Sequence, residues 1–113
     1  MSRNAVLPLL VLAWAMPLPA AGRLELVDVF TAGTEGYHTY RIPALAVTRS
    51  GTLLAFCEGR KTSREDLGDN DLVLKRSTDG GRTWSKRQLV YEEGGNRKIT
   101  IGNPTTVVDR QSG

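Results

Sequence analysis

The octapeptide Ser77-Thr78-Asp79-Gly80-Gly81-Arg82-Thr83-Trp84 constrains the fold of this chain more than any other stretch. Ser77 and Asp79 have short side chains that hydrogen-bond nearby backbone groups, and Gly80 and Gly81 accept positive φ. Trp84 is placed to pack over the turn these residues make. Strand-like runs flank it, Asp71 to Ser77 before and Thr83 to Tyr91 after. A tight turn between two such runs reads as a hairpin. Further strands are predicted at Leu24 to Phe30, Tyr40 to Val47, Thr52 to Glu58 and Thr105 to Asp109. Thr48-Arg49-Ser50-Gly51 supplies another hairpin turn. The run from Leu53 to Cys57 is apolar without alternation, which predicts burial on both faces. Short strands at this spacing, with no helical period, predict an all-β sandwich, barrel or propeller.

The first 22 residues stand apart from that pattern. Arg3 gives a positive start, Ala5 to Pro19 is almost wholly apolar, and the small residues Ala20-Ala21-Gly22 follow. This is the order of a secretory signal peptide, with cleavage after Ala20, Ala21 or Gly22. The apolar run is shorter than the ~20 residues of a bilayer span, and Pro8, Pro17 and Pro19 interrupt it. The expectation is an exported protein with no stable membrane span. Removing the segment takes Arg3 with it and lowers the formal charge from +3 to +2. So mild a balance, with no Lys/Arg block, gives no reason to expect nucleic acid as a partner. Cys57 is the single cysteine and reads as a small buried hydrophobe.

Tyr40-Arg41-Ile42-Pro43 is the second informative segment. Pro43 disfavours the helical region for Ile42 and predicts an extended, stiff segment. Alternation then sends Arg41 to the face opposite Tyr40 and Ile42. A guanidinium held in this way suits the bidentate grip of a planar carboxylate, so an anionic ligand is expected.

The octapeptide matches the Asp-box pattern at Ser77, Asp79, Gly81, Thr83 and Trp84, a structural motif that closes a hairpin at a propeller rim. The stretch from Gly36 to Leu45, the stretch from Leu53 to Arg60 and that from Asp69 to Ser77 together resemble the N-terminal part of bacterial exo-sialidases. The resemblance runs to Gly102-Asn103-Pro104. It implies a six-bladed β-propeller that removes terminal sialic acid from glycoconjugates with retention of configuration, using a tyrosine nucleophile. At ~40–50 residues a blade, residues 23–113 supply about two blades of it.

By the same resemblance Arg41 is the first of three arginines that bind the sialic acid carboxylate. Asp66 is similar to the acid/base aspartate, with Glu65 one position away as the competing carboxylate. Such a donor must be protonated when the glycosidic oxygen leaves. Glu65, Asp69 and Asp71 are expected to favour its protonation and Arg64 to oppose it. Arg60 resembles an arginine near the sugar pocket, positioned for the Asp66 carboxylate, a sugar hydroxyl or a loop-anchoring ion pair. Asn103 resembles a pocket residue suited to hydroxyl or acetamido groups, or equally to a turn.

Asp66, Asp69, Asn70 and Asp71 would also suit calcium by chemistry, but the EF-hand pattern fails for want of its glycine and glutamate. His38 is the single histidine and lacks partners for zinc. No metal or cofactor is therefore expected. Tyr37, Tyr40 and Tyr91 do not match the context of the nucleophile, and the other two arginines cannot be placed. The chain is accordingly expected to be an N-terminal portion of a longer enzyme, inactive alone. A non-catalytic Asp-box propeller that binds glycans or proteins would have no need of both Arg41 and Asp66. A trans-sialidase would share every feature read so far.

Overall fold

The computed structural model describes Gly22 and residues 24–112. The expected export segment, residues 1–22, lies outside the described residues apart from Gly22. Four strands, β1 (Thr39–Val47), β2 (Leu53–Arg60), β3 (Asn70–Ser77) and β4 (Gln88–Tyr91), pair antiparallel in chain order. Each is hydrogen-bonded to the next, which is the meander from which propeller blades are made.

The turns follow from local chemistry. Thr48 to Gly51 closes β1 onto β2, with Gly51 at φ 85°. At the β3–β4 connection, Ser77 Oγ donates to Asp79 Oδ1 at 2.8 Å and accepts from the Gly81 N–H at 2.9 Å. Asp79 also receives the Thr83 N–H at 2.9 Å, and Trp84 Nε1 donates back to the Gly81 carbonyl at 3.0 Å. Gly80 and Gly81 have φ of 74° and 89°, values a β-carbon would resist. Every side chain singled out in the octapeptide thus bonds within its own turn.

One face of the sheet carries the core. Tyr37, Cys57 and Val73 are buried there, with Phe30 and Tyr40 packed against them. Gly59 makes this packing possible, since a β-carbon there would lie 2.7 Å from two Tyr37 ring atoms. On the other face Leu54, Phe56 and Leu72 line an open apolar groove beside Pro104 and Thr105–Val108.

Several strand expectations are corrected. Leu24 to Phe30 forms no strand, because no described residue pairs with its backbone; Leu24 and Leu26 are exposed. The segment after the octapeptide pairs as a strand only over Gln88–Tyr91, although the Ser85 N–H still reaches the Arg76 carbonyl at 2.8 Å. Thr105 to Asp109 runs along the sheet face without joining a ladder. Ile42 is not extended but left-handed, at φ 53°, and the β1–β2 register shifts between Arg41 and Ala44. A β-branched residue in that region is strained, by about 1–3 kcal/mol. The device there is a bulge, which bends the strand beside Arg41.

Candidate active site

The site is built where the β1–β2 ladder ends. Arg41 stands opposite Glu58 in the register, so the two share one face of the sheet. Glu58 and Arg60 are alternate residues of β2 and share that face as well. Tyr40 lies on the opposite face, as alternation predicts.

Arg60 is 2% exposed and Glu58 is 3% exposed, a charge pair almost wholly removed from water. Arg60 donates to Glu58 Oε2 from Nε at 3.0 Å and from Nη2 at 2.7 Å. Its Nη1 donates to the Arg64 carbonyl at 2.6 Å, and Nη2 also lies 2.9 Å from Asp66 Oδ1. Burial works to lower the Arg60 pKa, but Glu58 and Asp66 outweigh it and hold the group above its ordinary value. In this structure Arg60 pairs with both Glu58 and Asp66 and anchors the loop at the Arg64 carbonyl, so the Asp66 contact and the loop-anchoring ion pair are both present.

Asp66 sits on the β2–β3 loop with its side chain 81% exposed. Arg41 Nη1 approaches the same Oδ1 at 3.4 Å. Both guanidiniums therefore meet one carboxylate oxygen, and Glu65 makes neither contact. The expected carboxylate neighbours are elsewhere. Asp69 and Asp71 are buried, with oxygens 3.0 and 3.3 Å from Lys61 Nζ. Asp71 also accepts from Tyr37 Oη at 2.7 Å. Asp66 pairs with Arg41 and Arg60, while Asp69 and Asp71 pair with Lys61.

The loop is held from several sides. The Asn70 side-chain amide donates to the Asp66 carbonyl at 2.9 Å, the Lys61 N–H to the Asp69 carbonyl at 3.1 Å, and the Gly68 N–H to Thr100 Oγ1 at 3.0 Å. These bonds turn the loop's oxygen donors toward different partners. Among the described residues no three acidic, histidine or cysteine side chains gather as a metal cluster. His38 Nδ1 lies 2.6 Å from Thr39 Oγ1.

Asn103 joins the same group through its backbone. Its N–H donates to Glu58 Oε1 at 2.9 Å, with Asn103 left-handed at φ 53° ahead of Pro104. Asparagine tolerates that conformation better than most residues. Arg41, Arg60, Asp66 and Asn103 are thus brought to one end of the sheet around Glu58. Sequence reading passed over Glu58. Its signal was a carboxylate at the end of an apolar strand, two residues before an arginine.

Two of the tyrosine hydroxyls are engaged on the core side of the sheet. Burial and the bond to Asp71 push the Tyr37 phenol well up, and burial followed by the Glu35 charge raises Tyr40, whose hydroxyl donates to the Thr34 carbonyl. Tyr91 lies on β4, three strand spacings or roughly 14 Å across the sheet from β1.

No family model matches the chain. A sialidase of Micromonospora viridifaciens is 44% identical over 100 residues, covering 86% of this chain and 16% of that protein. An exo-alpha-sialidase of Aspergillus fumigatus is 38% identical over 96 residues, covering 82% of this chain and 23% of the relative. Among solved structures, the Hadza microbial sialidase Hz136 matches with a TM-score of 0.50 and 39% identity, over 51% of this chain and 12% of that one. The chain thus spans about a sixth to a quarter of the length of these curated relatives. With an antiparallel four-stranded sheet and this degree of identity over most of its length, the chain is sialidase-like and its fold is that of part of a sialidase propeller.

Proposed function

We propose that the protein carrying this chain is an exo-α-sialidase that hydrolyses terminal sialic acid from glycoproteins, glycolipids or oligosaccharides with retention of configuration. Arg41 binds the sialic acid carboxylate, and Asp66 gives the proton to the leaving oxygen. Asn103 lines the same pocket, and residues 1–22 export the protein. The observation that carries this reading is the convergence of Arg41 and Arg60 on Asp66 Oδ1, at 3.4 and 2.9 Å. An exposed arginine–carboxylate pair such as Arg41–Asp66 is worth little, at most about 1 kcal/mol. An incoming carboxylate therefore displaces Asp66 from Arg41 at small cost and leaves Asp66 held by Arg60 beside the glycosidic oxygen. The chain alone is inactive in this reading, since a retaining route needs a nucleophile and its described tyrosines are otherwise engaged.

The test is made in the full-length protein, with an alkyl sialoside and an activated aryl sialoside. Asp66→Asn is expected to lower turnover of the alkyl substrate by about 100-fold or more, within the usual range for a general acid, and the aryl substrate far less. Arg41→Ala is expected to raise KM for both. Full alkyl turnover by Asp66→Asn would refute the acid assignment. Binding of sialylated glycans by a wild-type protein that cleaves none would favour the non-catalytic propeller, and sialylated acceptor as the main product a trans-sialidase.

A further inference from the structure

Among the described residues, Glu58 is a buried carboxylate bonded both to Arg60 and to the Asn103 backbone at this end of the sheet. Oε2 takes two bonds from Arg60, and Oε1 takes the backbone N–H of Asn103. Gly102 lies so close that a β-carbon there would stand 2.7 Å from Glu58 Oε1. The left-handed bend at Asn103 and the Arg60 side chain are therefore registered against the same carboxylate.

That placement has an electrostatic consequence. Arg60 is buried, so its charge is poorly screened by water, and its two close anionic partners are Glu58 and Asp66. Glu58 neutralises much of the field that Arg60 would otherwise exert on Asp66. Arg41 also reaches Asp66 from β1. The other charged residues of its own loop are Lys61, Arg64, Glu65 and Asp69, of which Lys61 and Asp69 pair with each other, and the 102–103 segment brings no charge. Without Glu58, two guanidiniums would face Asp66 uncompensated and favour its ionised form.

We infer that Glu58 is a positioning residue of the sialidase site: its buried carboxylate orients Arg60, sets how much of the Arg60 charge Asp66 feels, and ties the Gly102–Asn103 bend to that pair. The inference rests on the acid role proposed for Asp66. Glu58 itself touches no substrate in this scheme.

Glu58→Gln in the full-length protein tests it through the pH dependence of kcat/KM on an alkyl sialoside. The alkaline limb, where the general acid loses its proton, is expected to move to lower pH by about 0.5 unit or more, because a compensating negative charge has gone. At neutral pH kcat/KM is expected to fall by up to about threefold for each 0.5 unit of that shift, while the activated aryl sialoside, which needs less protonation, loses less. A folded Glu58→Gln protein with a superimposable profile would overturn the inference, whatever its thermal stability. If Glu58→Gln does not fold, Gly102→Ala carries the test, since it presses on the carboxylate without altering charge. It is expected to lower kcat/KM on the alkyl substrate at least fivefold, and unchanged kcat/KM would overturn the inference. Asp66→Asn measured alongside separates the failures: full alkyl turnover by that variant removes the acid reading itself, independently of any result at Glu58.

Discussion

Arg60 Nη2 lies 2.7 Å from Glu58 Oε2 on the same face of β2, and both side chains are almost fully withdrawn from water. Such a pair resists loss of either partner more than loss of both, because a lone buried charge keeps its desolvation cost. Arg60→Met is therefore expected to destabilise the protein by about 3–5 kcal/mol. Adding Glu58→Leu to Arg60→Met should recover part of that. Urea denaturation of the two variants checks it, and equal or greater loss in the double variant would contradict the argument.

Gly59 faces the Tyr37 ring too closely for any side chain. Gly59→Ala must push the ring away and break the 2.7 Å bond from Tyr37 to Asp71. Overpacking of this kind costs about 1–3 kcal/mol, to be read from denaturant midpoints. A shift near zero would mean that the ring moves freely.

Asp79 is held to about 2, below its ordinary 3.8, first by the Thr83 hydroxyl and N–H and then by the Ser77 hydroxyl. A carboxyl depressed on folding adds stability that is fully present above about pH 4 and is lost as pH falls through about 2. Asp79→Asn is expected to lower stability at neutral pH and to flatten the acid-unfolding curve between those two values. Tryptophan fluorescence during acid titration measures this; curves of equal slope would refute it.

Cys57 is 2% exposed, and burial, with the nearby Glu58 charge, pushes its thiol up to about 12. Thiolate is the reactive form, so native protein at pH 8 is expected to react with a disulfide reagent at least about 100-fold more slowly than denatured protein. Comparable rates would place the thiol at the surface.

Much of this was legible along the chain because it depends on neighbours in sequence. The octapeptide turn uses only bonds within four residues, and the strand pairs joined by short turns follow from alternation and turn chemistry. Arg41 and Asp66 were found by their resemblance to sialidases, and their 3.4 Å approach spans 25 residues that no local rule covers. The bend at Ile42 was misread: the proline preference favours extended backbone, and the bulge against β2 overrode it.

The all-β character and the β3–β4 turn closed by Ser77 and Asp79 are written in the chain itself, since short-range hydrogen bonding and period-two alternation require no distant partner. That Asp69 and Asp71 turn inward to Lys61 while Asp66 turns outward to Arg41 and Arg60 follows from the three-dimensional packing. That packing also made Glu58 the common partner of Arg60 and Asn103. Which carboxylate meets which cation depends on how the 61–69 loop and the 100–103 segment fold back over the strand ends. A buried charge takes its partner from whatever group that folding brings within reach.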